Sequence, residues 1–447
     1  MGERDRELRE ATEQSRLMLD LVLGREDPDP DALTLHTVRD FDRHFTPGLV
    51  AYRKSVTEAG DFAALEWRGS GSIVQDVRGR EWIDLLGGFG IYDLGIRHPE
   101  VLDAVRAQLD RNPMPTQELL DPFKGMLCRL LASIAPGPST NAFICNSGTE
   151  AVEGAMKIAR VASGRPGFVC AEGAFHGKTL GALSLMGKAA FREPVEPLLG
   201  PVWRAPFGDA AAFERLIAAH GAELAAVVLE PIQGEAGAVV PPDDFLPRVR
   251  AACDAAGVLL IADEVQTGLG RTGELWASDH WGLEPDIVCV AKSLGGGVMP
   301  VGAIVGRAEV WKSLEPNPFL HTSTFGGSPL ACAASIASVH VILRDRLWEA
   351  AARKGAWLME RLEELRSRFP ATLAGLRGRG LLIGMVFPDH ETGYRVAAEL
   401  FRRGILVAGT QVSATTIRIE PALTIEQSLL DEVIARLEDV LAGIAAA

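Results

Sequence analysis

The sequence predicts an α/β fold built on a mostly parallel sheet, and three observations carry that prediction. From residue 141 onward, short and nearly continuous apolar runs (NAFIC, GFVCA, AAVVLE, GVLLIADE, PDIVCVAK) alternate with amphipathic stretches. Strands covered on both faces lose the in-out alternation of a half-exposed sheet, and the helices between them supply the crossovers that parallel strands require. After residue 329 the rhythm changes to long helical periods with a few strands, which marks a second, α+β part of the chain. Finally, 447 residues with 47% hydrophobic and 23% charged side chains suffice for a large core in roughly two or three units.

Taken in order, residues 4–23 place Leu8, Ala11, Met18, Leu19 and Val22 on a helical stripe, and an Asp/Pro-rich linker follows at 26–31. SIVQDVRGREWIDLL (72–86) reads as two short strands joined at Arg78-Gly79, and HPEVLDAVRAQLDR and DPFKGMLCRLLASIA have helical spacing. EAVEGAMKIARVA, DAAAFERLIAAH and FLPRVRAACDAA are the helices between the apolar strands. Beyond Pro329 the pattern gives helices at about 330–342 and 346–369, two strands around LRGRGLLIGMVF, a helix at 394–403, a strand at TTIRIE and a closing amphipathic helix.

Composition excludes several classes of function. Acidic residues number 59 against 45 basic ones, a net charge of −14, which argues against a nucleic-acid surface. No apolar run reaches the ~18 residues that a membrane span needs, and the charged N-terminus lacks a signal-peptide pattern, so a cytoplasmic protein is expected. The six cysteines stand singly, without C-x-x-C pairs or His/Cys clusters, which predicts free thiols and no metal site.

Ligands of open α/β sheets bind beyond the carboxyl ends of the strands. Three strand ends carry ionisable groups there: Glu230 with Glu235 behind it, Asp263 with Glu264, and Lys292. A lysine closing an apolar strand suits Schiff-base chemistry if its pKa is lowered, although an isolated one could equally reach out to solvent. NSGTEAVEGAMK (146–157) is a strand-to-helix turn able to cradle a phosphate, or simply a helix capped by Ser147 or Thr149. Neither a P-loop nor a Rossmann fingerprint occurs. A phosphate turn, an Asp on one strand end and a Lys 29 positions later together match what pyridoxal phosphate requires.

In these residues, and in GAFHGKTLGALS, EPIQGE, DEVQTGLGRTG, AKSLGGGVMPVGA and HTSTFGGSPLACAA, the chain closely resembles the class III aminotransferases. The resemblance implies the pyridoxal-phosphate fold type I: a large domain with a mostly parallel sheet of the seven-stranded type flanked by helices, and a smaller α+β domain formed by N- and C-terminal segments. The expected division is residues 1–85 for the N-terminal helix and part of the small domain, 86–335 for the cofactor domain, and 336–447 for the C-terminal small domain.

Carried over position by position, the resemblance makes Lys292 the Schiff-base lysine and proton shuttle, and Asp263 the partner of the pyridine nitrogen. Ser147, Gly148 and Thr149 bind the phosphate, and Thr324 reaches the phosphate of a partner subunit's cofactor, which implies a homodimer with shared sites. Phe175 stacks on the ring with His176 beside it, although a purely structural His176 fits the sequence as well, and Gln266 contacts the ring hydroxyl. In members that use 2-oxoglutarate, an arginine on the C-terminal strand binds a carboxylate and a glutamate covers it at other times. Here these are Arg418 and Glu235; a salt bridge on an edge strand is the alternative for Arg418.

FTPGLVAYRKSVTEAGDFAALEW, LLGGFGIYDLG, QELLDP and LVAGT lie outside the shared core and resemble the branch of the family that acts on putrescine. GEAGAVVPP lacks an expected second glycine, and Ser328 stands where Asn is commoner. The implied activity is ping-pong transfer of an amino group from a diamine, putrescine or cadaverine, to 2-oxoglutarate, giving an amino aldehyde and glutamate. The same scaffold also supports ω-amino acid transamination, decarboxylation, isomerisation, and elimination or carbon–carbon bond formation. A DNA-binding regulator is disfavoured, since the first ~70 residues show no basic helix-turn-helix pattern.

Overall fold

The computed structural model describes residues 3–46, 48–52 and 64–446. Positions 47 and 53–63 of the FTPGLVAYRKSVTEAGDFAALEW segment fall outside the described residues. By contact density the chain divides into Met1–Arg68 with Val74–Glu81, and Gly69–Ile73 with Trp82–Ala447.

The first unit holds the helix Glu3–Val22 and a second helix, Pro30–Asp40. The sequence reading ended its linker at residue 31 and assigned no helix beyond it. Asp29 caps that helix by accepting from the backbone N–H groups of Asp31 and Ala32, and Pro30 occupies its first turn, where no N–H is needed. Arg78 pairs with Asp31 at 2.7 Å, and Asp76 accepts from the N–H groups of Arg78 and Arg80 around the Arg78-Gly79 turn.

The second unit is organised by a seven-stranded sheet. Its strand order is Asn141–Cys145, Gly302–Gly306, Ile287–Val290, Leu259–Asp263, Leu224–Leu229, Gly167–Ala171 and Val202–Ala205. Every neighbouring pair is parallel except the two made by Gly302–Gly306, which runs antiparallel to both neighbours. Six strands therefore run in one direction. The sequence reading found five of the seven and missed Val202–Ala205 and Gly302–Gly306. The first is an edge strand whose Trp203 and Arg204 are only partly buried, and the second is a short run bounded by glycines.

Burial explains the apolar runs. All six residues of Leu224–Leu229 and all four of Ile287–Val290 are buried, each large side chain contributing about 1.5–3 kcal/mol. The helix Gly148–Ser163 lays Ala151, Val152, Ala155, Met156 and Ile158 on the sheet. Gly154 is required there, because a Cβ would lie 2.3 Å from Ile304 Cδ1.

The C-terminal part forms an antiparallel sheet in the order Gly375–Arg379, Leu382–Val386, Thr416–Ile419, Ala408–Gly409. The helices Leu347–Arg368, His390–Arg402 and Gln427–Ala445 share a core with it through Leu358, Leu362, Val396, Leu400, Leu430 and Leu437. His390–Arg402 starts four residues before the predicted 394 because Asp389 caps it, accepting from Thr392 N at 2.7 Å. Among the described residues no helix is long and apolar enough to cross a membrane, no cluster of metal-ligating side chains occurs, and the six cysteines are free.

Candidate active site

Six co-directional strands bring their carboxyl ends to one edge of the sheet, so the residues just past those ends converge. They line a cavity of about 500 Å³ that includes Ser147, Gly148, Thr149, Phe175, His176, Glu230, Asp263, Gln266 and Lys292. The antiparallel strand brings its entry, Pro300 and Val301, to the same place.

At one end, Ser147 caps the helix Gly148–Ser163 by accepting from Glu150 N. The N–H groups of Gly148 and Thr149 open that helix and have no acceptor within it, which leaves two donors and the positive end of the helix dipole for an anion. The turn is fixed from behind: Glu150 accepts from both N and Nδ2 of Asn146 at 2.9 Å. Thr149 Oγ1 lies 2.6 Å from Thr179 Oγ1, which in turn donates to Glu153. Gly177, at φ +119°, passes where any Cβ would sit 2.3 Å from Thr149 Oγ1.

Deeper in, Asp263 is buried, with Oδ2 2.7 Å from His176 Nδ1 and Oδ1 accepting from Val265 N at 3.1 Å. His176 is itself buried. Burial alone pulls its pKa down, but the hydrogen bond and charge of Asp263, with Glu230 adding to them, carry it above the ordinary value. This shifts the ring toward the protonated form beside Asp263. Its Nε2 is buried without a partner. Glu230 accepts from the N–H groups of Phe175 and Gly234, and burial pushes its carboxyl up to about 7. Glu264, by contrast, is not part of the cavity lining and is tied to Thr267, Ser278 and Ala277, a structural knot.

Lys292 follows the strand Ile287–Val290 and lines the cavity rather than reaching bulk solvent. Its backbone lies at φ +50°, the left-handed region, a conformation that costs a non-glycine residue about 1–3 kcal/mol and turns the chain out of the sheet. Burial lowers its pKa, raising the neutral fraction of the amine, against the opposing pull of Glu420, Glu235 and Asp263.

Arg418 sits on the C-terminal strand Thr416–Ile419 and is completely buried, so the edge-strand salt bridge considered for it is ruled out. Its Nη1 donates to Glu235 Oε1 at 2.8 Å, and its Nε is 3.0 Å from Glu420 Oε2. Among the described residues neither its Nη2 nor its Nε has a hydrogen-bond partner. The guanidinium also lies 5.4 Å from the centre of the Phe89 ring. Gln266 Nε2 contacts both Glu420 oxygens at 3.0 Å. The sequence reading missed Glu420, although its i, i+2 spacing from Arg418 places the two side chains on one face of an extended chain. Thr324 lies outside the cavity lining and is exposed, its carbonyl accepting from Gln117 at 2.7 Å.

With these strand ends, the helix-opening turn and the cavity-lining lysine, the chain belongs to the class-III aminotransferase family, whose profile matches residues 56–441. It is 48% identical over 420 residues to the putrescine aminotransferase of Pectobacterium atrosepticum, covering 92% of this chain and 90% of that one. Among solved structures, it resembles an (S)-enantioselective omega-transaminase from Thermomicrobium roseum (TM-score 0.84, 29% identity, 94% of this chain and 100% of that one). It likewise resembles the ornithine aminotransferase of Toxoplasma gondii (TM-score 0.81, 30% identity, 92% of this chain and 98% of that one).

The family's cofactor is pyridoxal phosphate, and the residues fit it. The free N–H groups at the start of Gly148–Ser163 suit its phosphate, the buried carboxylate of Asp263 suits its pyridinium, and the amine of Lys292 faces the same cavity.

Proposed function

We propose that the enzyme moves an amino group from a diamine, putrescine or cadaverine, to 2-oxoglutarate, releasing an amino aldehyde and glutamate in a ping-pong cycle. The observation that carries this reading is the covered arginine. Arg418 is completely buried, closed on Nη1 by Glu235, and, among the described residues, left with a donor at Nη2 that makes no hydrogen bond. A buried donor without an acceptor is costly, and a carboxylate that displaced Glu235 would satisfy it with a two-pronged contact. With Glu235 in place the same region is anionic and suits the free ammonium of a diamine.

Pyridoxal phosphate, when bound, supplies a carrier for the amino group and a sink for the electrons of the carbon that loses its proton. The chain does the rest. Gly148 and Thr149 would hold the phosphate end, and Phe175 would cover the ring. Asp263, oriented by His176, would pair with the ring nitrogen. Gln266, tied to Glu420, would contact the ring hydroxyl. Lys292, with its lowered pKa, takes and returns the proton at the reacting carbon.

Two further features support a homodimer in which Thr324 serves the neighbouring site. Thr324 lies outside its own chain's cavity, and Gln117 ties it to a segment whose Leu119 and Leu120 are exposed by 77% and 98%. Phe325 beside it is 62% exposed, an apolar surface that a second copy would cover. The free cysteines support a reducing compartment, the cytoplasm.

The test is to mix the holoenzyme with putrescine alone, follow the cofactor spectrum through one half-reaction, and then add 2-oxoglutarate. One equivalent each of amino aldehyde and glutamate is expected. A spectrum unchanged by any diamine, with turnover of other amines, would reject the donor assignment.

A further inference from the structure

Glu420 follows the strand Thr416–Ile419 and is completely buried. It approaches Arg418 from the Nε side at 3.0 Å, whereas Glu235 occupies Nη1. The two carboxylates therefore lie against different edges of one guanidinium, Glu235 through a hydrogen bond and Glu420 through an ion-pair contact. Glu420 is also walled in by backbone: a Cβ on Gly87 would lie 2.2 Å from its carbonyl oxygen, and one on Gly90 would lie 2.7 Å from Oε1. The same Gly90 position is 3.5 Å from Lys292 Cδ, so the carboxylate and the lysine stem flank one missing methyl group. Of the charged groups acting on Lys292, Glu420 has the largest effect, and it opposes the lowering that burial imposes. The neighbouring buried pair Asp93–Arg271 is compensated within itself.

This geometry has a consequence for charge. With Glu235 in place, two carboxylates face one arginine, a net charge of minus one beside the cavity. When a ligand carboxylate displaces Glu235, Glu420 remains, and the ligand meets a guanidinium that is already neutralised.

We propose that Glu420 sets the donor preference of this enzyme, as a fixed carboxylate that disfavours donors ending in a carboxylate and favours diamines, whose second ammonium it attracts. The proposal deepens the diamine reading and rests on it for the identity of the donor. Glu420 reaches the reacting atoms only through Arg418, Gln266 and its field, so it is a positioning and specificity residue.

The test compares wild-type holoenzyme with Glu420→Gln and Glu420→Asp, using two unreactive probes by calorimetry: glutarate as a dicarboxylate, and N,N,N′,N′-tetramethylputrescine as a dication. Glu420→Gln should bind glutarate roughly tenfold tighter and the dication roughly tenfold weaker, the scale of one charge removed a few ångströms away. Its ratio of kcat/KM for putrescine over 4-aminobutyrate should fall by about a hundredfold, while Glu420→Asp stays near wild type. If Glu420→Gln fails to fold or to retain the cofactor, Glu420→Ala, in which water fills the vacated space, makes the same charge change. Equal weakening of both probes, or no change in either, would overturn the proposal. A wild-type enzyme that turns over no diamine would reject the functional reading instead, and opposite shifts of the two probes would still support the role of Glu420.

Discussion

Replacing Glu235 by glutamine should separate the two halves of the reaction. Glu235 Oε1 accepts from Arg418 Nη1 at 2.8 Å and Oε2 from Gln411 N at 2.8 Å. Burial pushes its carboxyl up, but Arg418, the Gln411 N–H and Lys292 outweigh that, so it stays below the usual carboxylate range and remains charged at neutral pH. A ligand carboxylate must break this charge-assisted bond before it can bind Arg418, at a cost of about 1.5–3 kcal/mol. A neutral amide holds Arg418 far less tightly. The half-reaction with 2-oxoglutarate, and that with any donor ending in a carboxylate, should therefore gain about 10- to 150-fold in kcat/KM at limiting substrate. The diamine half-reaction should lose efficiency, because a negative neighbour of its second ammonium has gone. The assay is stopped-flow single turnover of each half-reaction, read from the cofactor spectrum. Equal factors in both halves, or none in either, would refute the idea that Glu235 covers Arg418. Arg418→Ala is the poorer probe, since it strands two buried carboxylates at a cost of about 3–5 kcal/mol. Arg418→Lys keeps the charge and removes only the fork, and should depress the 2-oxoglutarate half about tenfold more than the diamine half.

Lys292→Ala should retain the fold but lose both half-reactions and the visible absorbance of lysine-bound cofactor; near wild-type turnover would remove Lys292 from its role. Glu230, raised by burial to about 7 from an ordinary 4.5, gives a stability prediction. A carboxyl raised in the folded state stabilises most below its unfolded pKa, and that contribution is lost as pH rises through 7. Wild type should thus lose up to about 3 kcal/mol relative to Glu230→Gln between pH 4.5 and 8 in denaturant titrations. A pH-independent difference would contradict this. The shared-site reading predicts that sedimentation at assay concentrations finds an active dimer, and a fully active monomer would refute it.

The parts of the site legible in the sequence were those written locally. Asp263 and Lys292 each close an apolar strand, and a charged residue at that position has few bland explanations once a phosphate turn accompanies it. What the sequence could not show was contact across the sheet. His176 meets Asp263 across 87 positions, because Gly167–Ala171 is separated from Leu259–Asp263 by a single strand, an order fixed only by tertiary packing. Gln266 meets Glu420 across 154 positions, each following a strand of a different sheet, a contact that only the packing of the two sheets creates. The helix Pro30–Asp40 was hidden by composition: an Asp/Pro-rich stretch reads as linker, yet Asp29 followed by Pro30 is also a helix start. The strand Gly302–Gly306 carries no local sign of its reversed direction, since a short buried run looks alike either way.

The two carboxylates on Arg418 differ in how they are held, and that difference assigns their roles. Apart from Arg418, the Glu235 carboxylate is tied to the N–H of Gln411, in the turn between Ala408–Gly409 and Thr416–Ile419, so its other anchorage is one backbone N–H on a connecting segment. Glu420 extends from the strand end itself; Gly87 packs on its backbone carbonyl, Gly90 passes close to Oε1, and Gln266 Nε2 contacts both carboxylate oxygens at 3.0 Å. Moving Glu235 aside breaks two hydrogen bonds, from Arg418 and from Gln411 N, whereas moving the Glu420 carboxylate breaks its contacts with Gln266 and Arg418 in a space that Gly90 closes on one side. One carboxylate is thus built to leave and the other to stay. A site that must accept an ammonium in one half-reaction and a carboxylate in the next needs both, a removable charge to switch the sign and a permanent one to limit how strongly the arginine attracts any carboxylate that arrives.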